Sequence, residues 1–130
     1  MDEDGFGCKR CWPRAAKVAW EARAELSRVV ELIDESHFRV VMLACPHCAQ
    51  RFVSVFAERV DWTDGDDPQY WTQLPITERE ANDLLRDRAS LTEAMLDALG
   101  PDRRCLRLEH PKGGPRRILW GSGICIEPHD

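Results

Sequence analysis

The sequence predicts a single α+β domain, and three observations support this fold class. Apolar residues recur every three or four positions over residues 14–35, which is typical of one face of a long helix. Residues 37–45 and 51–62 are rich in β-branched and aromatic side chains and favour the two strands of a hairpin. The chain has 130 residues, a length that one hydrophobic core serves. We therefore expect a flexible acidic leader over residues 1–7 and one folded domain over residues 8–130.

The long helix is the first expected element of this domain. Pro13 suits its first turn, where a missing backbone N–H leaves no hydrogen bond unmade. Glu21, Arg28 and Glu31 fall away from the apolar face, so the helix is amphipathic. The apolar face is expected to consist of Ala15, Val18, Ala22, Leu26, Val29 and Ile33.

A second helical segment is expected after the hairpin and an acidic loop at residues 63–69. Thr77 and Glu80 have the spacing of a capping box, in which each side chain bonds the backbone N–H of the other residue. The helical pattern restarts at residues 90–93 and ends at Gly100, a residue type that commonly ends helices.

The C-terminal part of the chain is expected to be rich in β-structure. Residues 105–127 predict a hairpin that turns at residues 112–115, with a further strand at residues 124–126. The predicted architecture is thus a cysteine-pinned long helix and hairpin, a central helical segment and a β-rich tail that extends the same sheet.

The composition excludes some classes of protein. Hydrophobic residues make up 43% and charged residues 32% of the chain, which is ordinary for a globular protein and too apolar for disorder. No apolar run approaches the ~20 residues of a membrane helix, and the acidic N-terminus does not resemble a secretory signal. We therefore expect a cytoplasmic protein with no membrane partner. The net charge of −5 disfavours a nucleic-acid backbone as partner.

Two of the cysteine pairs have metal-ligand spacing. Cys8 and Cys11, and Cys45 and Cys48, are each separated by two residues, and in a reducing compartment such pairs indicate metal or redox chemistry. Two such turns supply the four sulfur ligands of a tetrahedral site with Zn–S distances of about 2.3 Å, and sulfur ligands suit zinc or iron. We predict one structural zinc ion. Thiol–disulfide exchange, for which a pair before a helix is suited, and four buried core thiols are the alternatives.

The separation of the two pairs is compatible with one site. A helix over residues 14–35 runs out by about 33 Å. A strand over residues 38–45 runs back by about 26 Å. The second pair would therefore return close to the first.

The second pair resembles the knuckle of zinc ribbons and rubredoxins, a C-P-x-C turn followed by an aromatic residue. Ala49 stands where most such knuckles have glycine in a left-handed conformation. The first pair matches only in its spacing, since Trp12 and Pro13 replace the usual turn residues. The resemblance implies a four-cysteine zinc site, and zinc ribbons often serve in transcription and translation machinery. The residues that match the knuckle are Cys45, Pro46, Cys48 and Phe52.

A second metal site is a weaker hypothesis. Five residues along a strand place Cys105 and His110 on opposite faces, so core thiols and surface histidines are the preferred interpretation. His47 lies inside the second knuckle and is expected to be a solvated turn residue. The residues of this second hypothetical site are Cys105, His110, Cys125 and His129.

Three other features have an ordinary and a functional interpretation. The acidic residues after the second strand lack the ligand spacing of an EF-hand, so a solvated turn is preferred to a calcium site, with a patch for a basic partner as the alternative. Trp62 and Trp71 mark either a protein interface or a small core. Ser122 or Cys125 could act as a nucleophile with His129 as base, but the spacing of these residues does not support a catalytic site. The acidic residues are Asp61, Asp64, Asp66 and Asp67.

These observations favour a non-enzymatic, zinc-stabilised protein-interaction module: an adaptor, regulator or inhibitor whose partner, from the net charge, would be basic. A zinc-ribbon protein that associates with nucleic acid is the alternative, and an enzyme or thiol redox protein is the third. Nucleic-acid binding would use a basic face formed by Arg103, Arg104, Arg107, Arg116 and Arg117, with Lys112 beside it.

Overall fold

The computed structural model describes residues 5–130, and their centre is a six-stranded antiparallel sheet. The strands lie in chain order, so each strand pairs with the one that follows it. The strands are β1 (Ser27–Glu35), β2 (Phe38–Ala44), β3 (Arg51–Glu58), β4 (Gln69–Ile76), β5 (Arg104–His110) and β6 (Arg117–Ser122). The helices of the described part are α1 (Ala16–Ala22), α2 (Glu78–Arg86) and α3 (Glu93–Asp97), with 3₁₀ turns at Arg23–Glu25 and Arg88–Ser90.

The predicted α+β class with a long first helix is wrong. α1 has seven residues, and the chain then passes through a 3₁₀ turn into β1. α2 has nine residues and α3 has five, so the described chain is mainly an antiparallel sheet with short helices against it. None of these helices has the length and apolar character needed to cross a bilayer.

Two β-bulges in β1 explain why its sequence has a helical pattern. The pairing of β1 with β2 shifts between Arg28 and Val30 and again between Glu31 and Ile33. Each bulge adds one residue to a pattern that otherwise alternates every two residues. Val30 and Ile33 both pack against the core although they are three positions apart, which is also the spacing of a helix face. The β-branched side chains of β1 favour a strand, and this signal in the sequence opposed the helical spacing.

The two predicted hairpins are confirmed. β2 and β3 pair throughout, and the second cysteine pair lies in their turn. β5 and β6 form the C-terminal hairpin. The predicted strand at residues 124–126 is wrong, because this segment is irregular and Ile124 packs into the core. β4 was not predicted, although its Tyr-Trp-Thr run has high strand propensity.

The predicted capping box is also confirmed. The N–H of Glu80 donates to Oγ1 of Thr77 at 3.1 Å, and Oε1 of Glu80 accepts from the N–H of Thr77 at 2.8 Å. α3 begins in a similar way, since the hydroxyl of Thr92 accepts from the N–H of Met95. The helical segment therefore consists of two short helices, as its restart at residues 90–93 indicated.

The larger hydrophobic core lies on one face of the sheet, which we call the first face. α2, α3 and the C-terminal tail contribute side chains to it, together with alternate residues of the strands. The principal buried residues of this face are Leu32, Phe38, Val40, Met42, Val53, Val55, Leu74, Ile76, Ala81, Leu84, Leu96, Cys105 and Ile124.

The second face of the sheet carries a smaller core under the N-terminal segment. Trp12 is fully buried there, with its ring 5.3 Å from that of Phe52 and 4.9 Å from that of Trp120. The indole N–H of Trp120 donates to the carbonyl of Arg14 at 2.7 Å. α1 lies over β5 and β6. The N-terminal segment is thus packed onto the last strands of the sheet.

The predicted acidic leader lies partly outside the described residues, since residues 1–4 are not among them. In its remaining part, the ring of Phe6 lies 4.7 Å from the guanidinium carbon of Arg103. The N–H of Gly7 donates to Oε1 of Gln50 at 2.9 Å. These contacts attach the chain just before the first cysteine pair to the sheet.

The N-cap of α2 gives a first prediction. Thr77→Ala removes the side-chain acceptor for the N–H of Glu80, so we expect the free energy of unfolding to fall by about 1 kcal/mol. Urea unfolding of the purified protein measures this change. The matched substitution Thr63→Ala, in an exposed loop, should stay within about 0.5 kcal/mol of the parent. Equal losses in the two variants would contradict the role of the cap.

Candidate metal centre

The second cysteine pair lies in the tight turn between β2 and β3. The N–H of Cys45 donates to the carbonyl of Gln50 at 2.8 Å, and the N–H of Ala49 donates to the carbonyl of Cys45 at 2.9 Å. Ala49 has a φ of 66°, the left-handed conformation in which the resembled knuckles place glycine. The hairpin ladder and this turn together fix the directions of Cys45 and Cys48.

The first cysteine pair forms a turn of its own on the second face. The N–H of Trp12 donates to the carbonyl of Cys8 at 2.9 Å, which closes the turn around Cys11. Gly7 has a φ of +69°, and a Cβ there would lie 2.7 Å from Cβ of Trp12. Glycine is therefore required directly before the pair. The buried indole of Trp12 anchors the turn to the sheet.

The four sulfur atoms have the spacing of a tetrahedral metal site. All four lie within 4.8 Å of one another. The Sγ of Cys8 is 3.7 Å from that of Cys11 and 3.9 Å from that of Cys45, and the Sγ of Cys11 is 3.7 Å from that of Cys48. Bonds of about 2.3 Å from a central zinc ion to the corners of a tetrahedron give sulfur separations of about 3.8 Å. The predicted ligand residues are thus brought together with the required spacing.

Backbone N–H groups also point at these sulfur atoms. The N–H of His47 lies 3.4 Å from Sγ of Cys45, and the N–H of Cys8 lies 3.2 Å from Sγ of Cys11. Hydrogen bonds of this kind favour the thiolate over the thiol, since the donor faces the charged form. The two turns are therefore suited to hold negatively charged sulfur.

Neighbouring sulfur atoms affect the ionisation of Cys8, Cys11 and Cys48. At Cys8 burial raises the pKa, but N–H groups of Cys11 and Arg10 outweigh it, and the pKa falls to about 7. Burial and neighbouring sulfur atoms raise the pKa of Cys11 and of Cys48. Several negative charges in so small a volume repel one another unless a cation lies between them. A divalent metal ion supplies that charge.

The donor set fits zinc. Four sulfur ligands at tetrahedral spacing suit Zn²⁺ or iron rather than the harder ions that prefer oxygen. Cys8, Cys11, Cys45 and Cys48 would hold the ion. A bound zinc ion would supply a cross-link between the N-terminal segment and the β2–β3 turn. Four protein ligands complete its coordination, which is typical of structural sites.

Gln50 supports the site, although it was not among the predicted site residues. Its Oε1 accepts from the N–H of Gly7, while its Nε2 donates at 2.8 Å to the carbonyls of Arg51 and Ile76. One side chain therefore connects the first cysteine turn to β3 and β4. The position directly after a knuckle was its only sequence signal.

The other histidine and cysteine residues do not join this cluster. His47 is exposed, and its Nε2 lies 3.1 Å from Nη1 of Arg10, so it links the two turns from outside. Among residues 5–130, the four cysteines are the one group of three or more potential ligands with suitable spacing. The hypothetical second metal site is therefore not assembled in the described part of the chain.

The residues of that second site form no group with ligand spacing. Cys105 is buried in the core of the first face, whereas Cys125 is exposed. His110 follows Cys105 at an odd separation in β5, so the two face opposite sides of the sheet, as predicted. His129 stacks on Phe38, with ring centroids 4.3 Å apart. No hydrogen bond of the described residues joins Cys125 or Ser122 to His129, as a catalytic pair requires.

The acidic loop after β3 is an ordered turn. Backbone N–H groups of Asp64, Asp66 and Thr63 donate to the carboxylate of Asp61, and Nζ of Lys112 lies 3.0 Å from its Oδ2. These N–H groups, with that of Asp64 first, and Lys112 lower the pKa of Asp61 to about 2. Lysine thus takes the place beside the carboxylates that a calcium ion would need, which supports the interpretation as a turn.

Comparison of the chain with known protein families, with curated proteins and with solved structures yields no match.

The sulfur geometry gives a second prediction. Elemental analysis of the purified protein should find one zinc ion per chain. Cys48→Ser should lose zinc at chelator concentrations that the parent withstands, because one of four ligands is weakened. Cys125→Ser changes an exposed cysteine outside the cluster and should retain one zinc ion. Absence of zinc and iron from the parent, or equal metal loss in both variants, would contradict this assignment.

The conformation of Ala49 gives a third prediction. A left-handed φ costs an L-residue about 1–2 kcal/mol, whereas glycine costs about 0.5–1 kcal/mol in backbone entropy. Ala49→Gly should therefore raise the free energy of unfolding by about 0.5–1 kcal/mol, measured by urea unfolding at fixed free zinc. Ala24→Gly, at an exposed position in a right-handed 3₁₀ turn, should lower it by a similar amount. Destabilisation by both substitutions would overturn the argument.

Proposed function

We propose that the protein is a non-enzymatic interaction module in which one structural zinc ion, bound by Cys8, Cys11, Cys45 and Cys48, holds the N-terminal segment on the sheet. The tetrahedral spacing of the four sulfur atoms is the observation that carries this proposal. Four thiolate ligands leave no coordination position for a substrate or a catalytic water molecule. The zinc ion therefore acts on the fold rather than on a reaction.

The energetic contribution of the zinc ion is large for a chain of this size. Structural zinc sites bind with about 10–16 kcal/mol in small peptides, which is comparable to the whole stability of a domain. Here the ion would link two turns that have 33 residues between them in the chain, from Cys11 to Cys45. Its removal is expected to release Trp12 and α1 from the sheet.

The loop between β3 and β4 offers a surface for a protein partner. Trp62 is 88% exposed, and large aromatic side chains at protein surfaces are often interface anchors. The hydrogen bonds to Asp61 hold the loop in one conformation, so binding would order few groups. Asp64, which is exposed and pairs with Lys112 at 3.1 Å, and Asp66 lie close in the chain to Trp62, and the four aspartates of the loop leave it negatively charged. A protein partner with a basic, apolar patch fits this surface.

Nucleic-acid binding is less well supported than protein binding, because several arginines of the expected basic face pair with carboxylates. Arg103 pairs with Glu80 at 2.8 Å, and Arg117 pairs with Glu109 at 2.6 Å. Arg107 lies within 3.5 Å of a carboxylate oxygen of Glu109, on the first face. These carboxylates offset the charge that a phosphate backbone would need.

A pull-down from lysate tests the interaction. The zinc-loaded protein should retain a protein partner, and Cys48→Ser or a chelator should abolish retention because the fold is released. Trp62→Ala should weaken retention while keeping one zinc ion, whereas Met95→Ala, a smaller exposed apolar side chain on α3, should leave it unchanged. Retention that depends on neither zinc nor Trp62 would contradict the proposal. Salt-sensitive recovery of RNA or DNA in place of protein would favour the nucleic-acid alternative.

A further inference from the structure

A cleft of about 290 Å³ lies on the second face of the sheet, over β1–β4 and beside the 3₁₀ turn that follows α1. It is separate from the four cysteines and from the loop of Trp62, and neither the zinc site nor the proposed interaction surface accounts for it. Its walls combine three cationic side chains with apolar and aromatic ones. The lining residues are Arg23, Arg28, Arg39, Val41, Leu43, Ser54, Phe56 and Trp71.

Arg23 is the centre of this cleft. Its Nε donates to Oε1 of Gln73 and its Nη2 donates to Oγ of Ser54, both at 2.7 Å. Its guanidinium also lies 4.4 Å above the ring of Trp20. Both hydrogen-bond acceptors are neutral, and no carboxylate of residues 5–130 lies within ion-pair distance of Arg23.

Burial makes this arrangement costly. It lowers the pKa of Arg23 to about 10, so the side chain remains charged at neutral pH although its surroundings disfavour the charge. A partly buried charge without a counter-charge is disfavoured, because it loses part of its hydration and gains no opposite charge in return. An anion in the cleft would offset this loss of hydration by pairing with Arg23.

Hydrogen-bond donors outnumber acceptors around Arg23. The Oγ of Ser54 accepts from Arg23, so its own hydrogen remains available to an acceptor. A carboxylate or a phosphate carries only acceptor oxygens when it is fully ionised, and it would satisfy such a set of donors.

Two further arginines stand at the rim of the cleft. Nη2 of Arg28 lies 2.5 Å from Oε1 of Glu31, and Nε of Arg39 lies 4.0 Å from Oδ1 of Asp34. Their charges are therefore partly offset. Arg23, which lacks such a partner, carries the uncompensated charge of the cleft.

The rest of the cleft is lined by apolar and aromatic side chains. The rings of Phe56 and Trp71 lie 4.7 Å apart and are inclined by 45°, and Val41 and Leu43 extend this surface along β2. Cζ of Arg39 lies 5.9 Å from the ring centre of Phe56. A flat apolar group would contact this surface while its anionic end reaches Arg23.

We propose that this cleft binds a small organic anion, in which a carboxylate or phosphate group is joined to a flat apolar body. The anionic group lies at Arg23, Ser54 and the rim arginines, and the apolar body lies on Phe56 and Trp71. The volume is at the lower end of the range of about 300–1,000 Å³ found for ligand pockets, which suits a small molecule. This ligand site goes beyond the proposed interaction function and does not depend on it.

Titration of the zinc-loaded full chain with small aromatic probes tests the proposal. The probes are phenylacetate and phenyl phosphate, with phenylacetamide as the neutral control and inorganic phosphate as the control without an apolar body. Binding is followed by ¹H–¹⁵N NMR of the indole N–H of Trp71, assigned through Trp71→Phe. Both aromatic anions, or one of them, should shift this signal in a saturable way, which also identifies the preferred anionic group. Both controls should bind at least about tenfold more weakly.

Substitutions distinguish the two parts of the cleft. Arg23→Gln should weaken binding of the preferred anion by about tenfold or more. Arg39→Gln, at an exposed position that tolerates substitution, should weaken it by about threefold. Arg79→Gln, on α2 at the first face, is the matched control and should leave binding unchanged. Zinc content and thermal unfolding show which variants remain folded.

Four outcomes would overturn the proposal. The first two are binding of phenylacetamide as tight as that of the anions, and no saturable binding of either aromatic anion. The third is that Arg39→Gln and a folded Arg23→Gln both bind the anion with the affinity of the parent, and the fourth is saturable binding of a single-stranded oligonucleotide in preference to both small anions.

Discussion

Convergence of four sulfur atoms on one small volume is the constraint on which the second face of the sheet depends. It brings the turn of Cys8 and Cys11 against the β2–β3 turn, and thereby places Trp12 over Phe52. From there the chain can reach only a limited region of the sheet, so α1 lies on β5 and β6. The 3₁₀ turn that carries Arg23 follows directly and forms one wall of the cleft. A metal site at one end of the sheet thus determines which part of this face stays open.

The cluster of four cysteines could be predicted from the sequence, whereas the sheet that presents it could be predicted only in part. Cys45 and Cys48 are close in the chain, and their ligand geometry is a local property of a turn. β1 was mistaken for a helix because its two bulges reproduce a three-residue spacing, and the expected return of the chain is made by the β1–β2 hairpin. The cleft could not be predicted from the sequence, because no short stretch of the chain contains its residues. Arg23, Ser54 and Gln73 are separated by 31 and 19 residues, and only the pairing of β3 with β4 brings the latter two side by side.

Charge is organised locally in this protein, and the net value of −5 conceals that organisation. Arginines on β5 and β6 face glutamates, so that surface is nearly neutral at short range, and Lys112 offsets part of the negative charge of the acidic turn. The second face differs, since Arg23 has neutral partners. Because salt screens charges beyond about 8 Å, contacts inside the cleft outweigh the distant acidic residues. An acidic chain can therefore contain a site for anions.

The position of Trp12 has a consequence for the order in which the protein is completed during synthesis. The ribosome releases all four cysteines once residue 48 has emerged, but Trp120, which covers one side of Trp12, follows 72 residues later. At about 5–20 residues per second this interval lasts roughly 4–14 s. Throughout it, a nascent chain whose two cysteine turns have already met displays an indole that is uncovered on one side. β6 therefore completes the packing around Trp12. A chain truncated before β6 would keep its four cysteines but expose an apolar surface that favours aggregation.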